Sequence, residues 1–385
     1  MNEIIHSTAG LVPPTGRYSS QALEHSLRNV QSYIRQPFLF ENWYMVGFGT
    51  EFSRKLVAKT ILDRSIVFFR KENGQLVALQ NRCAHRSFPL SESHLDGDTI
   101  RCGYHGIRYD ADGKILAVPC QDRAPAARLK AYDVHETGPF AWIWMGKGAG
   151  DISKIPDMSF YTDPRFVYCS GTLPMEGNYL LMQENLSDLS HLPYLHASTF
   201  GFPEIWANRP IELKVDDEKK TVEFWRVTRD WNVVKLAFPR GLHYEDRDIL
   251  HRGGGRFETP AFFRGWQEMD INDAKPGEAT TINLYIDHFM TPETHKSTHY
   301  YYAVARNCAI EDVEFTKMQE VRMKSAFAED SAAVLHMQTL LDNDHHEFKE
   351  LMIAGDKPSL ATRRMVLKLV ELEYGVPAGA LESAV

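Results

Sequence analysis

Apolar positions change their spacing three times along the chain, and each spacing predicts a different element. Within residues 19–35, Leu23, Leu27, Val30 and Ile34 recur at helical intervals ahead of Pro37, which predicts one amphipathic helix. From Trp43 to about Met145 the pattern shortens into runs such as 65–70 and 75–79, separated by the turn pairs Asn73-Gly74, Asp96-Gly97 and Asp112-Gly113. That texture predicts a compact all-β module. The Gly- and Pro-containing stretch 146–156 reads as a linker. Beyond it, 221–226 and 281–289 read as strands, and 313–343, free of Gly and Pro, reads as a long helix. The expected class is α+β: an N-terminal extension (1–37), an all-β domain (38–150) and a domain of antiparallel sheet with flanking helices (151–385).

Composition narrows the partners. With 385 residues, 43% of them hydrophobic, the chain buries a substantial core and exceeds the usual size of one domain. A net charge of -8 gives a polyanion nothing to bind, so no nucleic-acid partner is expected. The first thirty residues lack a signal-peptide core and no stretch is apolar enough to span a membrane, so a cytoplasmic protein is expected. Five cysteines, an odd number, fit reduced thiols better than disulfides. The glycines at 146, 148 and 150 do not match a dinucleotide fingerprint, and Gly253-Gly254-Gly255 reads as a flexible turn. No nicotinamide or flavin site is expected in the chain itself.

Two pairs of residues carry redox chemistry. Cys83-Ala84-His85 is followed, after a gap of sixteen, by Cys102-Gly103-Tyr104-His105. Thiolates hold ferric iron, and two imidazoles on a second iron raise the potential above that of an all-cysteine cluster. A Cys2His2 zinc site is the main alternative, although zinc fingers favour a Cys pair followed by a His pair, and buried unliganded side chains are another. Together with Arg86, Pro89, Leu90 and the run 106–110, the two pairs resemble the Rieske family. The resemblance implies a [2Fe-2S] cluster on Cys83, His85, Cys102 and His105. Cys120, Cys169 and Cys308 lack histidine partners and read as structural thiols.

A second constellation lies at 185–196. His191 and His196 are five apart with Pro193 between them, and a proline break brings to one point two rings that an ideal helix separates. Two histidines and a carboxylate form the ligand set of non-haem Fe(II) oxygenases, although a histidine pair beside a proline is often structural. Asp188, one turn before His191, is placed for its carboxylate to accept a hydrogen bond from that ring.

Asn-x-x-Asp-x-x-His-x4-His, following a Rieske motif, resembles the mononuclear-iron motif of the Rieske oxygenases. That resemblance implies several further features. A third ligand comes from the late helix, here Asp330, with Glu329 as its competitor. Asp188 carries electrons to His191 from His105 of a neighbouring subunit in a homotrimer, and Asn185 supports the site. Electrons come from a separate NAD(P)H-dependent reductase or ferredoxin. Segments 83–89, 103–109, 119–121, 291–294 and 300–307 look most like the vanillate and dicamba demethylases and toluenesulfonate methyl-monooxygenases. They imply monooxygenation of an aromatic substrate by O2, with O-demethylation of a methoxylated aromatic acid in the lead. Ring hydroxylation or cis-dihydroxylation, and a pure Rieske electron carrier, are the alternatives. His288 is the expected polar contact to the substrate, and Trp266, Phe202 and Phe289 the expected apolar lining.

Overall fold

Short apolar runs punctuated by turns fold back on one another, and residues 40–155 do so repeatedly. The computed structural model describes residues 27, 29–237, 244–276, 278–344, 346, 348 and 350–375. They divide into two units. The first contains β1 (Trp43–Phe48), β2 (Val57–Ile61), β3 (Arg64–Arg70), β4 (Leu76–Gln80), β5 (His94–Asp96), β6 (Thr99–Arg101), β7 (Arg108–Tyr109), β8 (Ile115–Ala117), β9 (Ala131–Tyr132), β10 (Val134–Thr137) and β11 (Phe140–Trp144). They form three sheets, ordered β1-β11-β10, β2-β3-β4-β9 and β5-β6-β7-β8. The turn at Gly113 needs glycine twice over: its φ is +80°, and a Cβ there would stand 2.6 Å from the Leu129 carbonyl oxygen.

The stretch expected as a linker is strapped onto this unit. The Trp43 indole donates to the Asp151 carbonyl at 2.9 Å, and the Gly150 N–H donates to Asp133 at 2.8 Å. A Cβ on Gly150 would fall 2.5 Å from the Trp43 ring, so the glycines there serve close packing on tryptophan.

The second unit holds residues 27–39 and 156 onward. The helix expected over 19–35 is described only as α1 (Val30–Tyr33), Leu23 lying outside the described residues. Asn29 caps α1 at Ser32 and also donates to the Phe348 carbonyl. After it come β12 (Val167–Met175), α2 (Tyr179–Leu186), β13 (Glu212–Asp216), β14 (Thr221–Thr228), α3 (Trp231–Ala237), β15 (Ile249–Thr259), β16 (Phe262–Ile271), β17 (Thr281–Thr294), β18 (Ser297–Arg306), α4 (Val313–Asn343) and α5 (Lys357–Tyr374). Seven antiparallel strands run in the order β12-β18-β17-β16-β15-β14-β13. The long helix stands where the pattern put it, and the strands expected at 221–226 and 281–289 run on to 228 and 294.

Gly253-Gly254-Gly255 is not a turn. It is the centre of β15, paired with β14 and β16. A Cβ on Gly254 would lie 1.9 Å from the Phe224 carbonyl oxygen, and one on Gly253 2.1 Å from Gln267 Oε1. The glycines are required by neighbours distant in sequence.

Helix α4 buries Phe315, Gln319, Met323, Phe327, Asp330, Val334 and Gln338, a stripe at intervals of three and four. The stripe lies on one face of the sheet, where Phe327 meets the rings of His288 at 4.8 Å and Tyr302 at 4.9 Å. Arg306, fully buried at the end of β18, sets the start of α4 by donating to Gln319 at 2.7 Å and Thr316 at 2.8 Å. Among the described residues no helix is long and apolar enough to cross a membrane.

Candidate metal centres

In the first unit, Cys83 leaves β4 and Cys102 leaves β6 into two loops of the same construction. The Cys83 N–H donates to the Phe88 carbonyl at 2.9 Å, and its own carbonyl accepts from Ser87 at 3.0 Å. In the second loop Cys102 donates to Ile107 at 2.8 Å and accepts from Gly106 at 2.9 Å. The fourth residue after each cysteine is left-handed, Ser87 at φ 60° and Gly106 at φ 72°. Each turn therefore directs its thiol inward and its histidine outward. Both thiols are buried in the apolar core of the unit, whereas His85 and His105 are exposed with ring centroids 4.6 Å apart. Burial, ahead of the neighbouring Cys83, pushes the Cys102 thiol above its ordinary range. The Tyr109 hydroxyl accepts from the Ala84 N–H at 3.1 Å, which leaves its proton for Cys83 Sγ, also at 3.1 Å. Two inward sulfurs and two outward imidazoles fit a cluster with one buried thiolate-bound iron and one surface imidazole-bound iron.

In the second unit, α2 starts at the Asn178 cap and ends at Leu186, so Asp188 and His191 lie beyond it in a turn-rich loop. This alters the expected contact. The His191 Nδ1 partner is the main-chain carbonyl of Asp188 at 2.5 Å, because the chain has left the helix and that carbonyl is free to accept. The Asp188 carboxylate instead accepts from the Ser190 N–H at 2.7 Å and the Ser190 hydroxyl at 2.9 Å. Asn185 makes no hydrogen bond to either histidine, and its amide oxygen is buried without a partner.

His196, almost fully buried, sets its Nδ1 2.7 Å from Glu329 Oε2 on α4. Its Nε2 lies 3.1 Å from Asp330 Oδ1, and the Nε2 of His191 lies 3.8 Å from the same oxygen. The three donor atoms fall within 4.8 Å of one another. A carbonyl and a carboxylate can only accept, so both Nδ1 atoms carry protons and both Nε2 atoms are turned toward Asp330. Asp330 Oδ1 is itself buried with no hydrogen-bond partner. Two imidazole nitrogens and a carboxylate oxygen with no hydrogen-bond partner converge on one point, a donor set that fits a cation. Burial drives the His191 ring below its ordinary range, ahead of the pull of Asp330. At His196 burial acts the same way, but Asp330 and Glu329 outweigh it and raise the ring.

Glu329, weighed in the sequence only as a rival ligand, faces His196 from behind. It also accepts from Ser198 at 3.0 Å and Thr199 at 2.8 Å, and these bonds with His196 hold its carboxyl below the usual range against the cost of burial. Its position beside Asp330 was the available signal.

The expected substrate contacts divide between the two faces of the sheet. His288 is buried on the face under α4, where its Nδ1 stands 2.7 Å from the Tyr300 hydroxyl, and burial drives the ring down to about 4. It pairs across strands with Phe263, and alternation then puts Gln267 on the same face, bonded at 2.8 Å to the buried His251. Trp266 and Phe289 are each one residue out of phase and lie on the opposite face. There Phe289 packs on Phe262 at 5.2 Å, and Trp266 lines a separate cleft of 310 Å³ with Arg256, Arg264 and Tyr285. Phe202 stacks on Trp206 at 5.5 Å, in an aromatic series that runs from His196 through Phe200.

A family model for the vanillate O-demethylase oxygenase C-terminal domain matches residues 175–372, and one for the Rieske [2Fe-2S] domain matches residues 42–133. The iron-sulfur subunit of a toluene-4-sulfonate monooxygenase system from Comamonas testosteroni is 28% identical over 360 residues, covering 88% of this chain and 99% of the relative. A vanillate O-demethylase oxygenase subunit from Pseudomonas sp. (strain HR199 / DSM 7063) is 27% identical over 363 residues, covering 88% and 97%. The crystal structure of dicamba monooxygenase bound to dicamba superposes with a TM-score of 0.73 at 25% identity, covering 88% of this chain and 99% of that one.

Proposed function

We propose a substrate class and an electron route for this chain, which belongs to the Rieske oxygenases carrying the vanillate O-demethylase type of catalytic domain. The substrate is a methoxylated aromatic acid, and the products are the phenol and formaldehyde. Relatives named for vanillate, dicamba and toluenesulfonate support the class. The observation that carries the reading is the convergence of His191 Nε2, His196 Nε2 and Asp330 Oδ1, with that carboxylate oxygen buried and unpaired.

In this reading Cys83, His85, Cys102 and His105 hold a [2Fe-2S] cluster, and His191, His196 and Asp330 hold one Fe(II). When bound, the first group carries single electrons and the second activates dioxygen. The chain's own residues do the rest. Tyr300, whose hydroxyl is kept protonated by burial, donates to His288 Nδ1. The ring proton then sits on Nε2, where it donates to a carboxylate, sulfonate or phenolic oxygen. Gln267, on the same face, offers a second amide contact, and Phe202 is proposed as part of the apolar wall.

Electrons arrive from a separate reductase or ferredoxin. They pass between copies of the chain in a homotrimer, from His105 of one to Asp188 of the next and on to His191. Both Asp188 oxygens retain a lone pair after binding Ser190, and the outward His105 ring, beside the exposed Tyr104, is presented for such a contact. Five unpaired thiols suit a reducing cytoplasm.

The test is a screen of methoxylated aromatic acids with the iron-loaded chain, an NADH-dependent ferredoxin reductase and O2. Release of formaldehyde with the phenol is expected. A cis-diol product would refute demethylation, and turnover by an Asp330→Ala variant would refute the iron assignment.

A further inference from the structure

The loop between α2 and β13 carries both iron-facing histidines, yet its only regular element is one short turn of 3-10 helix at Glu204–Trp206. Its shape therefore depends on side chains reaching in from elsewhere. Glu329 holds His196, Ser198 and Thr199, and Arg322 donates to the Thr199 carbonyl at 3.1 Å. These anchors secure the middle of the loop. The stretch leading into His191 and the exit of the loop converge on one residue of β14, Arg226.

Arg226 is fully buried on the sheet face under α4. One guanidinium nitrogen donates to the Leu189 carbonyl at 3.2 Å and the other to the Ala207 carbonyl at 3.0 Å, with Trp206 covering the group at 5.4 Å. No carboxylate lies within ion-pair distance of it among the described residues, and its Nε has no partner. A buried cation without a direct counter-ion is costly and persists where the surrounding structure depends on it. Burial pulls the guanidinium down to about 10, opposed by the charge of Asp188. The nearby anion is thus the residue whose carbonyl orients His191.

We propose that Arg226 is a positioning residue for the mononuclear iron site: by holding Leu189 and Ala207 together it closes the loop and fixes His191 against Asp330. The inference rests on the iron reading above. It differs from a simple electrostatic role, since a buried cation near a metal site would by charge alone weaken the binding of Fe(II). Only the staple makes its removal harmful.

The test is Fe(II) affinity of the mononuclear site in the full chain with its cluster in place, measured by chelator competition, with the EPR signal of the Fe(II) nitrosyl adduct as a second readout. Arg226→Gln, which cannot span both carbonyls, is expected to weaken Fe(II) binding by about 10–100-fold and to broaden the nitrosyl signal. Arg226→Lys, which keeps the charge and reaches one carbonyl, is expected to fall between it and the unaltered protein. Asp330→Ala is the control. If the unaltered chain binds no iron beyond the cluster, or Asp330→Ala retains it, the iron reading fails. If Asp330→Ala loses iron while Arg226→Gln binds it with unchanged or greater affinity, the role of Arg226 is overturned and the iron reading stands. A drop in thermal stability with unaltered affinity also overturns it. Should the Gln variant not fold, the Lys variant decides, and unchanged affinity there refutes the staple.

Discussion

Glu329 offers a sharp test of how the iron-facing histidines are prepared. The Glu329→Ala substitution removes the acceptor of the His196 Nδ1 proton at 2.7 Å and of the Ser198 and Thr199 hydroxyls, leaving Arg322 on the Thr199 carbonyl. A hydrogen bond to a charged group contributes about 1.5–3 kcal/mol. Its loss also lets the ring rotate and lowers the basicity of Nε2, so the expected penalty on Fe(II) affinity is about 10–100-fold. Glu329→Gln retains an acceptor without the charge, and keeping a neutral bond of about 1 kcal/mol limits the loss to about 0.5–2 kcal/mol, roughly 2–30-fold. Chelator competition measures both, with the visible spectrum of the cluster as the control for an intact chain. Equal affinity in all three proteins would refute the argument, and an Ala variant that bound more tightly would reverse it.

Three further outcomes follow from other parts of the structure. Burial, opposed by the Gln267 hydrogen bond, lowers His251 from 6.5 to about 4, so the unfolded chain takes up a proton in that window that the folded chain refuses. Stability from this group is complete above pH 6.5 and falls by up to roughly 3 kcal/mol toward pH 4. Urea unfolding at several pH values should show a shallower slope for His251→Gln, and an unchanged slope would count against a buried neutral ring. Gly254→Ala, whose Cβ meets a backbone oxygen at 1.9 Å, should lower the melting temperature more than Gly253→Ala, whose Cβ meets the movable end of Gln267. The opposite order would contradict the close approach of β14 and β15. Tyr109→Phe removes the hydroxyl that donates to Cys83 Sγ and should lower the cluster midpoint by roughly 40–80 mV, from a bond of about 1–2 kcal/mol. Protein-film voltammetry measures the shift, and an unmoved potential would remove Tyr109 from the cluster's surroundings.

What could be read from the sequence was whatever is encoded locally. Helix α4 begins after the Asp312 cap and runs through Asn343, inside a longer stretch free of Gly and Pro, because its apolar stripe and its cap lie within one segment. The paired loops at Cys83 and Cys102 and the histidines at 191 and 196 were legible for the same reason. The packing of Gly146–Gly150 on Trp43 and Trp144, and the central place of Gly253–Gly255 in the sheet, were not. A glycine demanded by a distant neighbour looks in sequence like a glycine demanded by a turn. The contact of Asp188 failed through one local assumption, that the helix continued past Leu186.

Trp266 and Phe289 lie on the face of the sheet opposite His288. Each is a single residue away from a position on the other face, Gln267 and His288, and alternation makes a one-residue offset a change of face. The buried phase is plain in β14, where Val222, Phe224, Arg226 and Thr228 are buried and Glu223 and Trp225 are not. An arginine in the apolar phase of a strand breaks the pattern at a cost that a soluble core does not sustain without a use for the charge. His251, Gln267 and His288 break it in the same phase on the three following strands. Arg226, His251, Gln267 and His288 thus form one polar row across four neighbouring strands of an otherwise apolar face, and the substrate contacts proposed above draw on that row.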